Sequence, residues 1–388
     1  IKLELDRKTI KVAEASDVTS LQNGFYGQMK KGIIYLTAEE ALYIMDIRNG
    51  KCYDKSGNNY SFNDVASLFL KNKKILARYL TYKDWRDKGL ILRPIEEADG
   101  NYGRTVLLRY ESSKFKIDSF SFEGLFFPHD LITLVDDANV GKELYQRYWI
   151  GQFGTYKASH RGRISKLDIF ETIYLLRHGN MTLKNCKLKE VEKIAEKHIK
   201  FFSDMYLVYE DWRSRGYVIK TGFKFGTHFR IYFPGASPIK TEDKWMHSRH
   251  VIHVFPRKHK QLISEWARAI RVAHSVKKTF ILAIPGKKSA QSLNPKKPQL
   301  DFLLYHRKKG GIETPKEGTP KYLMYSLTED EYIGGEELAR ALAECSLYGL
   351  EMMVAISDRE SSVTYYVIKK IDLPGSEYEY FEIEWIQP

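Results

Sequence analysis

The sequence predicts an α+β protein built from small repeated modules, and three observations carry that expectation. Residues 82–93 (YKDWRDKGLILR) recur as residues 209–220 (YEDWRSRGYVIK), and residues 40–45 (EALYIM) recur as 171–176 (ETIYLL). A second match joins 265–270 (EWARAI) to 337–342 (ELARAL) and continues from 280–284 into 352–356, reading as a helix followed by a strand. Helical periodicity and two-residue alternation both occur inside the copies, so each copy mixes helix with sheet. The chain has 388 residues, of which 43% are hydrophobic, enough for two or three compact units with real cores. The expected division is a truncated copy over 1–93, a linker and N-terminal subdomain over 94–199, a full domain over 200–310 and a degenerate half-copy over 311–388.

The elements follow in order. Residues 39–47 and 168–176 space their apolar side chains at three and four, as amphipathic helices do, and each leads into a small sheet-bearing subdomain. Residues 191–208 read as a further helix, and 211–215 end at Gly216, a candidate left-handed cap. Strands are expected at 217–220 and 228–233, with Gly222 and Gly226 supplying the turn between them, and again at 251–255. Residues 262–278 form a helix whose buried stripe includes Leu262, Trp266, Ala269, Ile270, Ala273 and Val276. Residues 279–284 complete the sheet.

Charge carries the first functional information. The net charge is +13, and residues 240–309 alone hold 17 Lys and Arg against 4 Asp and Glu. Residues 310–388 reverse this, with 6 against 16. A concentrated basic surface suits a polyanion, because neutralised phosphates release counterions; the acidic segment is then free to dock on the basic one, within a chain or in a dimer. A glycine-rich basic insertion at 151–163 holds Lys157, Arg161 and Arg163, and a second basic loop spans 285–298. Cys52, Cys186 and Cys345 are single and far apart, which disfavours disulfides and cysteine metal sites and points to a reducing cytoplasm. No apolar run reaches membrane-spanning length, so no membrane association is expected.

The candidate chemical residues lie where the copies differ. Arg271 falls on Ala343 and Lys278 on Leu350 in the last copy, and the first copy lacks any continuation like residues 220–232. One active unit per chain follows. Five ordered blocks, at 209–213 (YEDWR), 218–226 (VIKTGFKFG), 229–232 (FRIY), 247–248 (HS) and 268–278 (RAIRVAHSVKK), resemble the archaeal tRNA-splicing endonuclease family. The layout resembles its three-unit, homodimeric form.

That resemblance implies a restriction-endonuclease-like α/β catalytic subdomain with a central mixed sheet, and cleavage of precursor tRNA at bulge-helix-bulge junctions without metal or cofactor. Carried over, Tyr232 matches the general base, His247 the general acid and Lys278 the cation beside the phosphorus. Attack by the neighbouring 2′-hydroxyl needs these three roles and yields a 2′,3′-cyclic phosphate and a 5′-hydroxyl. A free tyrosine, with a pKa of about 10, is a poor base, so nearby cations such as Lys278 are expected to lower it. The long 233–246 loop leaves His250 or His253 as substitutes for His247. Lys278 is preferred to Lys277 because it lies two helical turns from Arg271. Arg271 and Arg307 match a pair that clamps an extruded base, and Asp358 and Glu360 occupy the acidic loop that docks on a second subunit; Lys157 and Arg161 are expected as further RNA contacts from the basic composition of their own loop, not from the resemblance. The rivals are a magnesium-dependent nuclease, for which only Glu242 and Asp243 stand near 217–255, and a non-catalytic RNA-binding subunit.

Overall fold

The computed structural model describes residues 1–118, 121–156, 158–240, 242, 247–286 and 299–388. A mixed sheet of eleven strands runs through the molecule in the order Val218–Thr221, Phe229–Tyr232, His250–Val254, Thr279–Ile284, Glu379–Ile386, Val363–Asp372, Glu351–Ser357, Tyr322–Thr328, Phe302–Leu304 and Leu92–Pro94, with Leu107–Arg109 added beside Val363–Asp372. Two neighbouring pairs on this path are parallel, His250–Val254 with Thr279–Ile284 and Tyr322–Thr328 with Glu351–Ser357. Both faces are covered at the middle, so Glu351–Ser357 is buried at every position and its sequence (EMMVAIS) does not alternate.

Helices Ile263–Ser275 and Gly335–Tyr348 pack on one face and share one core through Trp266, Ile270, Leu338 and Leu342. On the other face, helix Phe202–Ser214 covers the first end of the sheet and helix Ile75–Asp87 the second. Two smaller sheets flank these helices, one of six strands within residues 2–60 and one of five within residues 122–183.

Strand register is the informative feature. Ile252 pairs with Phe229 on one side and Ile281 on the other. Seventy-two residues later, Met324 pairs with Phe302 and Met353. The strand Phe302–Leu304 therefore stands where Phe229–Tyr232 stands, and its outer partner is Leu92–Pro94 from the start of the chain. The boundary expected at residue 310 does not follow this pairing, because 302–304 belongs to the far end of the sheet together with residues 92–94 and 322–328. Closing so long a connection costs little more than closing a short one, which permits the interleaving.

Local expectations hold with three differences, one being that Val276, expected in the buried stripe of 262–278, is 46% exposed because it lies beyond the end of the helix. Helices Ala38–Ile47 and Ile169–His178 begin on Thr37 and Asp168, whose side chains accept the N–H of Glu40 and Glu171, while those glutamates return the bond in capping boxes. Gly216 has φ +88, as a left-handed cap requires. The helix expected over 191–208 is instead two, Leu188–His198 and Phe202–Ser214, because Phe201 turns left-handed at φ 62 and lays its ring 4.2 Å from His259. The helix expected to reach 278 ends at Ser275, since Lys277 is left-handed at φ 54.

Candidate active site

A cleft of about 870 Å³ opens between the five-stranded subdomain and the edge of the long sheet. Tyr232, His247, Ser248 and Lys278 all line it, together with Trp149, Tyr156, Arg230 and Lys240. Each arrives from a different place. Tyr232 ends the strand Phe229–Tyr232, and Arg230, two residues earlier, shares its face, with Cζ 5.9 Å from the phenol ring centre. His247 and Ser248 immediately precede the strand His250–Val254, with His247 exposed and Ser248 buried. Lys278 is delivered by the turn at Lys277, not by a helical face. The seven-residue spacing from Arg271 is thus no argument for it, because the helix has already ended. Its Nζ donates to the carbonyl of Ser248 and to Ser248 Oγ at 3.2 Å, and lies 4.5 Å from the Phe225 ring centre.

Burial pushes the Tyr232 phenol up from its ordinary pKa, and the Arg230 charge and a hydrogen bond from Ser248 pull it down less than burial raises it. The expected lowering by Lys278 is not found; the cation acting directly on this phenol is Arg230. The indole of Trp149 covers the ring at 4.5 Å between centres, and Trp149 itself is left-handed at φ 50, uncommon for a bulky residue. Burial, then the like charge of Arg230, lowers the Lys278 ammonium.

The alternatives to His247 face other surroundings. His250 packs against Phe233 and Tyr110, and burial, followed by the charges of Arg249 and Lys278, pulls its pKa down to about 4. His253 is half-buried against His228 and Phe280, and desolvation lowers its pKa too. His228 accepts the Val254 N–H on Nδ1, and burial brings it down to about 3. Imidazoles held neutral when folded gain protons on unfolding, at a pKa of about 6.5. The unfolded chain thus binds more protons between pH 4 and 6.5, and stability present above that window is lost as pH falls through it. His250→Phe should raise stability at pH 5 by up to about 2 kcal/mol and leave it unchanged at pH 8. Urea midpoints across this range check the effect, and retained cleavage by the same variant separates His250 from the acid role.

At the floor of the cleft, Glu171 accepts the Gly151 N–H at 2.9 Å and forms an ion pair with Lys220, which also donates to the Gly151 carbonyl. The same trio occurs at the other end of the sheet: Glu40 accepts the Gly27 N–H at 2.9 Å and pairs with Arg93, which donates to the Gly27 carbonyl. Arg93 and Lys220 are the last residues of the repeated segments 82–93 and 209–220. Asp168, beside Glu171, is pushed up by burial and by the charge of Glu171.

Other expected residues lie elsewhere. Arg271 is exposed on helix Ile263–Ser275, on the side of Tyr366. Arg307 follows the strand Phe302–Leu304, six strands from His250–Val254, and donates to the Lys88 carbonyl at 3.3 Å. Arg271 lies beside Tyr366 of Val363–Asp372, three strands from Phe302–Leu304, so the two arginines stand on different parts of the sheet. The reason is register: residues 302–305 (FLLY) are the counterpart of 229–232 (FRIY), not of a segment following Lys278. Arg161 is exposed in the 151–163 insertion, whose Tyr156 lines the cleft; Lys157 lies outside the described residues, as do 287–298 of the second basic loop. Asp358 caps its own turn, accepting the N–H groups of Glu360 and Ser362, and leaves Glu360 exposed at the tip. Of the groups missed by sequence reasoning, Arg230 was legible two residues before Tyr232, whereas Trp149 carried no local signal.

A mixed sheet with helices on both faces and a cationic, aromatic-lined cleft defines a nuclease-like catalytic domain, and residues 202–292 match the family described as tRNA intron endonuclease, catalytic C-terminal domain. The chain is 26% identical over 327 residues to a tRNA-splicing endonuclease of Methanococcoides burtonii, covering 68% of this chain and 89% of that one. It is 32% identical over 139 residues to a tRNA-splicing endonuclease of Thermococcus gammatolerans, covering 34% of this chain and 78% of that one. The chain belongs to the tRNA-splicing endonuclease family and is an enzyme of the tRNA-intron-cleaving class. Among the described residues, no helix is long and apolar enough to cross a membrane.

Proposed function

We propose that this protein cuts precursor tRNA at bulge-helix-bulge exon-intron junctions without a metal ion. The reading rests on one observation, the convergence of Tyr232, His247 and Lys278 on a single cleft from three separated segments. In the proposed reaction the Tyr232 phenolate takes the 2′-hydroxyl proton as that oxygen attacks phosphorus. The bond from phosphorus to the 5′-oxygen breaks, and the His247 imidazolium protonates the leaving oxygen. Lys278 holds positive charge beside the crowded phosphorus. The products are a 2′,3′-cyclic phosphate and a 5′-hydroxyl.

Among the described residues, the two carboxylates lining the cleft support the metal-free reading, because both are engaged: Asp168 caps a helix and Glu171 holds Lys220 and Gly151; Asp243 lies outside the described residues. The low pKa of His250 and the desolvation of His253 favour His247 as the acid. Strand register favours a particular modular arrangement, with a catalytic unit over about 110–286 completed by 379–386, and a degenerate unit made jointly by about 1–98 and 299–372. Two such chains in a dimer, docked through the Glu360 tip, supply two sites for the two ends of an intron. Arg271 and Arg307 then offer their guanidinium planes to an extruded base, Arg161 reaches the RNA from the insertion, and the free cysteines suit the cytoplasm.

The test is to incubate the chain with an intron-bearing precursor in EDTA and identify the termini. Cyclic phosphate and 5′-hydroxyl ends are expected, and His247→Ala should cut at least about 100-fold more slowly with precursor binding retained. Cleavage lost in EDTA and restored by magnesium would reverse the metal assignment. Binding without scission by the unaltered chain would leave an RNA-binding subunit.

A further inference from the structure

We infer that Phe223 is a stacking platform for an unpaired base of the RNA substrate, held at the rim of the cleft with Lys224 beside it for the adjoining phosphate. Phe223 is 91% exposed, and among the described residues the next most exposed large hydrophobic side chain is Leu70 at 69%. Its neighbours two residues away on either side, Thr221 and Phe225, both line the cleft. The Lys224 ammonium lies 5.5 Å from the ring centre of Tyr156, which lines the cleft as well. This combination suits single-stranded RNA, since every base has a face that stacks on an aromatic ring and every nucleotide brings a phosphate. A bulge supplies the unpaired base.

The turn that carries Phe223 holds it outward. Residues Phe223–Phe225 form one turn of 3-10 helix, in which side chains two apart diverge. Phe225 packs inward on the core under helix Ile263–Ser275, with the Lys278 ammonium 4.5 Å from its ring centre. The Phe225 N–H donates to the Gly222 carbonyl at 2.8 Å, and the Gly222 N–H donates to the His228 carbonyl at 2.9 Å. A Cβ on Gly222 would stand 2.7 Å from the Thr227 carbonyl oxygen, so the hairpin closes on glycine alone. A ring fixed in this way loses little freedom when a base settles on it. The far end of the sheet supplies the contrast. There Pro94 pairs with Phe302 as Thr221 pairs with Phe229, which puts Glu96 and Glu97 at the positions of Phe223 and Lys224, again in a 3-10 turn, Ile95–Glu97. Glu96 is exposed and Glu97 pairs with Arg93. Two carboxylates, which repel phosphate, thus stand on the degenerate unit where a phenyl and an ammonium stand beside the cleft.

The inference rests on the proposed cutting of a bulged precursor, and the experiment keeps the two apart. Single-turnover cleavage is followed against protein concentration for the full chain, Phe223→Ala and Phe223→Trp. The RNAs are a bulge-helix-bulge precursor and the same precursor with an abasic residue at each bulge position in turn, and each protein is also sedimented without RNA. Phe223→Ala should raise the half-saturating concentration about 10-fold and change the saturated rate by less than about 3-fold. Phe223→Trp should bind at least as tightly as the unaltered chain. One abasic precursor should weaken the unaltered chain by a similar factor and Phe223→Ala no further, because both changes remove the same contact. Unchanged half-saturation by Phe223→Ala, or a penalty that persists on every abasic precursor, overturns the inference. A changed oligomeric state overturns it in favour of contact between copies. An unaltered chain that leaves the precursor uncut overturns the proposed function and the inference with it, whereas normal cutting with no effect at Phe223 overturns the inference alone.

Discussion

Lys278→Ala is expected to slow single-turnover cleavage by about 10²–10³-fold, the scale on which removal of one preorganised charge at a transition state is felt. The melting temperature and the affinity for precursor should change little. The reason lies in how the ammonium is held. The left-handed Lys277 stops the helix and turns Lys278 toward the cleft, where Ser248 presents both a carbonyl and a hydroxyl to it. Among the described residues no carboxylate forms an ion pair with it, so its charge is available to phosphate oxygens that crowd as the fifth bond forms. Lys278→Arg should rescue poorly, since a planar guanidinium cannot meet both Ser248 acceptors and the phosphorus from a site shaped for a point charge. Cleavage within a few fold of the unaltered chain would remove Lys278 from the mechanism.

Glu171→Ala should destabilise the protein by about 3–5 kcal/mol, the usual cost of leaving one member of a buried ion pair unmatched. Glu171 is 3% exposed, and its two oxygens hold Lys220, the Gly151 N–H and the Asp168 N–H together. These bonds join the helix Ile169–His178, the entrance to the 151–163 insertion and the edge strand of the long sheet. Their loss loosens the wall that carries Trp149 against Tyr232. Glu40→Ala, which breaks the corresponding Arg93 pair, should cost a similar amount while leaving the cleft intact. Urea denaturation compared with cleavage distinguishes the two, with both properties falling for Glu171→Ala and mainly stability falling for Glu40→Ala. A cost under about 1 kcal/mol for either would show that its cation finds water instead.

Local signals went far in this chain because helices and turns answer to near neighbours. The stripe of Trp266 and Ile270 and the left-handed Gly216 express constraints acting over four residues or fewer, so spacing exposes them. The three candidate catalytic residues were reached through the resemblance of five ordered blocks to a known family, since a tyrosine, a histidine and a lysine apart from those blocks carry no such signal. Long-range pairing is different. Nothing within residues 299–310 shows that 302–304 lies beside 92–94, some two hundred residues earlier, so the sequence could not place Arg307 in the sheet. The direction of the Tyr232 shift was likewise hidden, because it balances burial under Trp149 against Arg230 and Ser248, contributed by separate segments. Residue identity and spacing thus specified the parts and the chemistry they favour. Which parts meet, and in what dielectric, depended on strand register and burial, energies that exist only once distant segments have packed together.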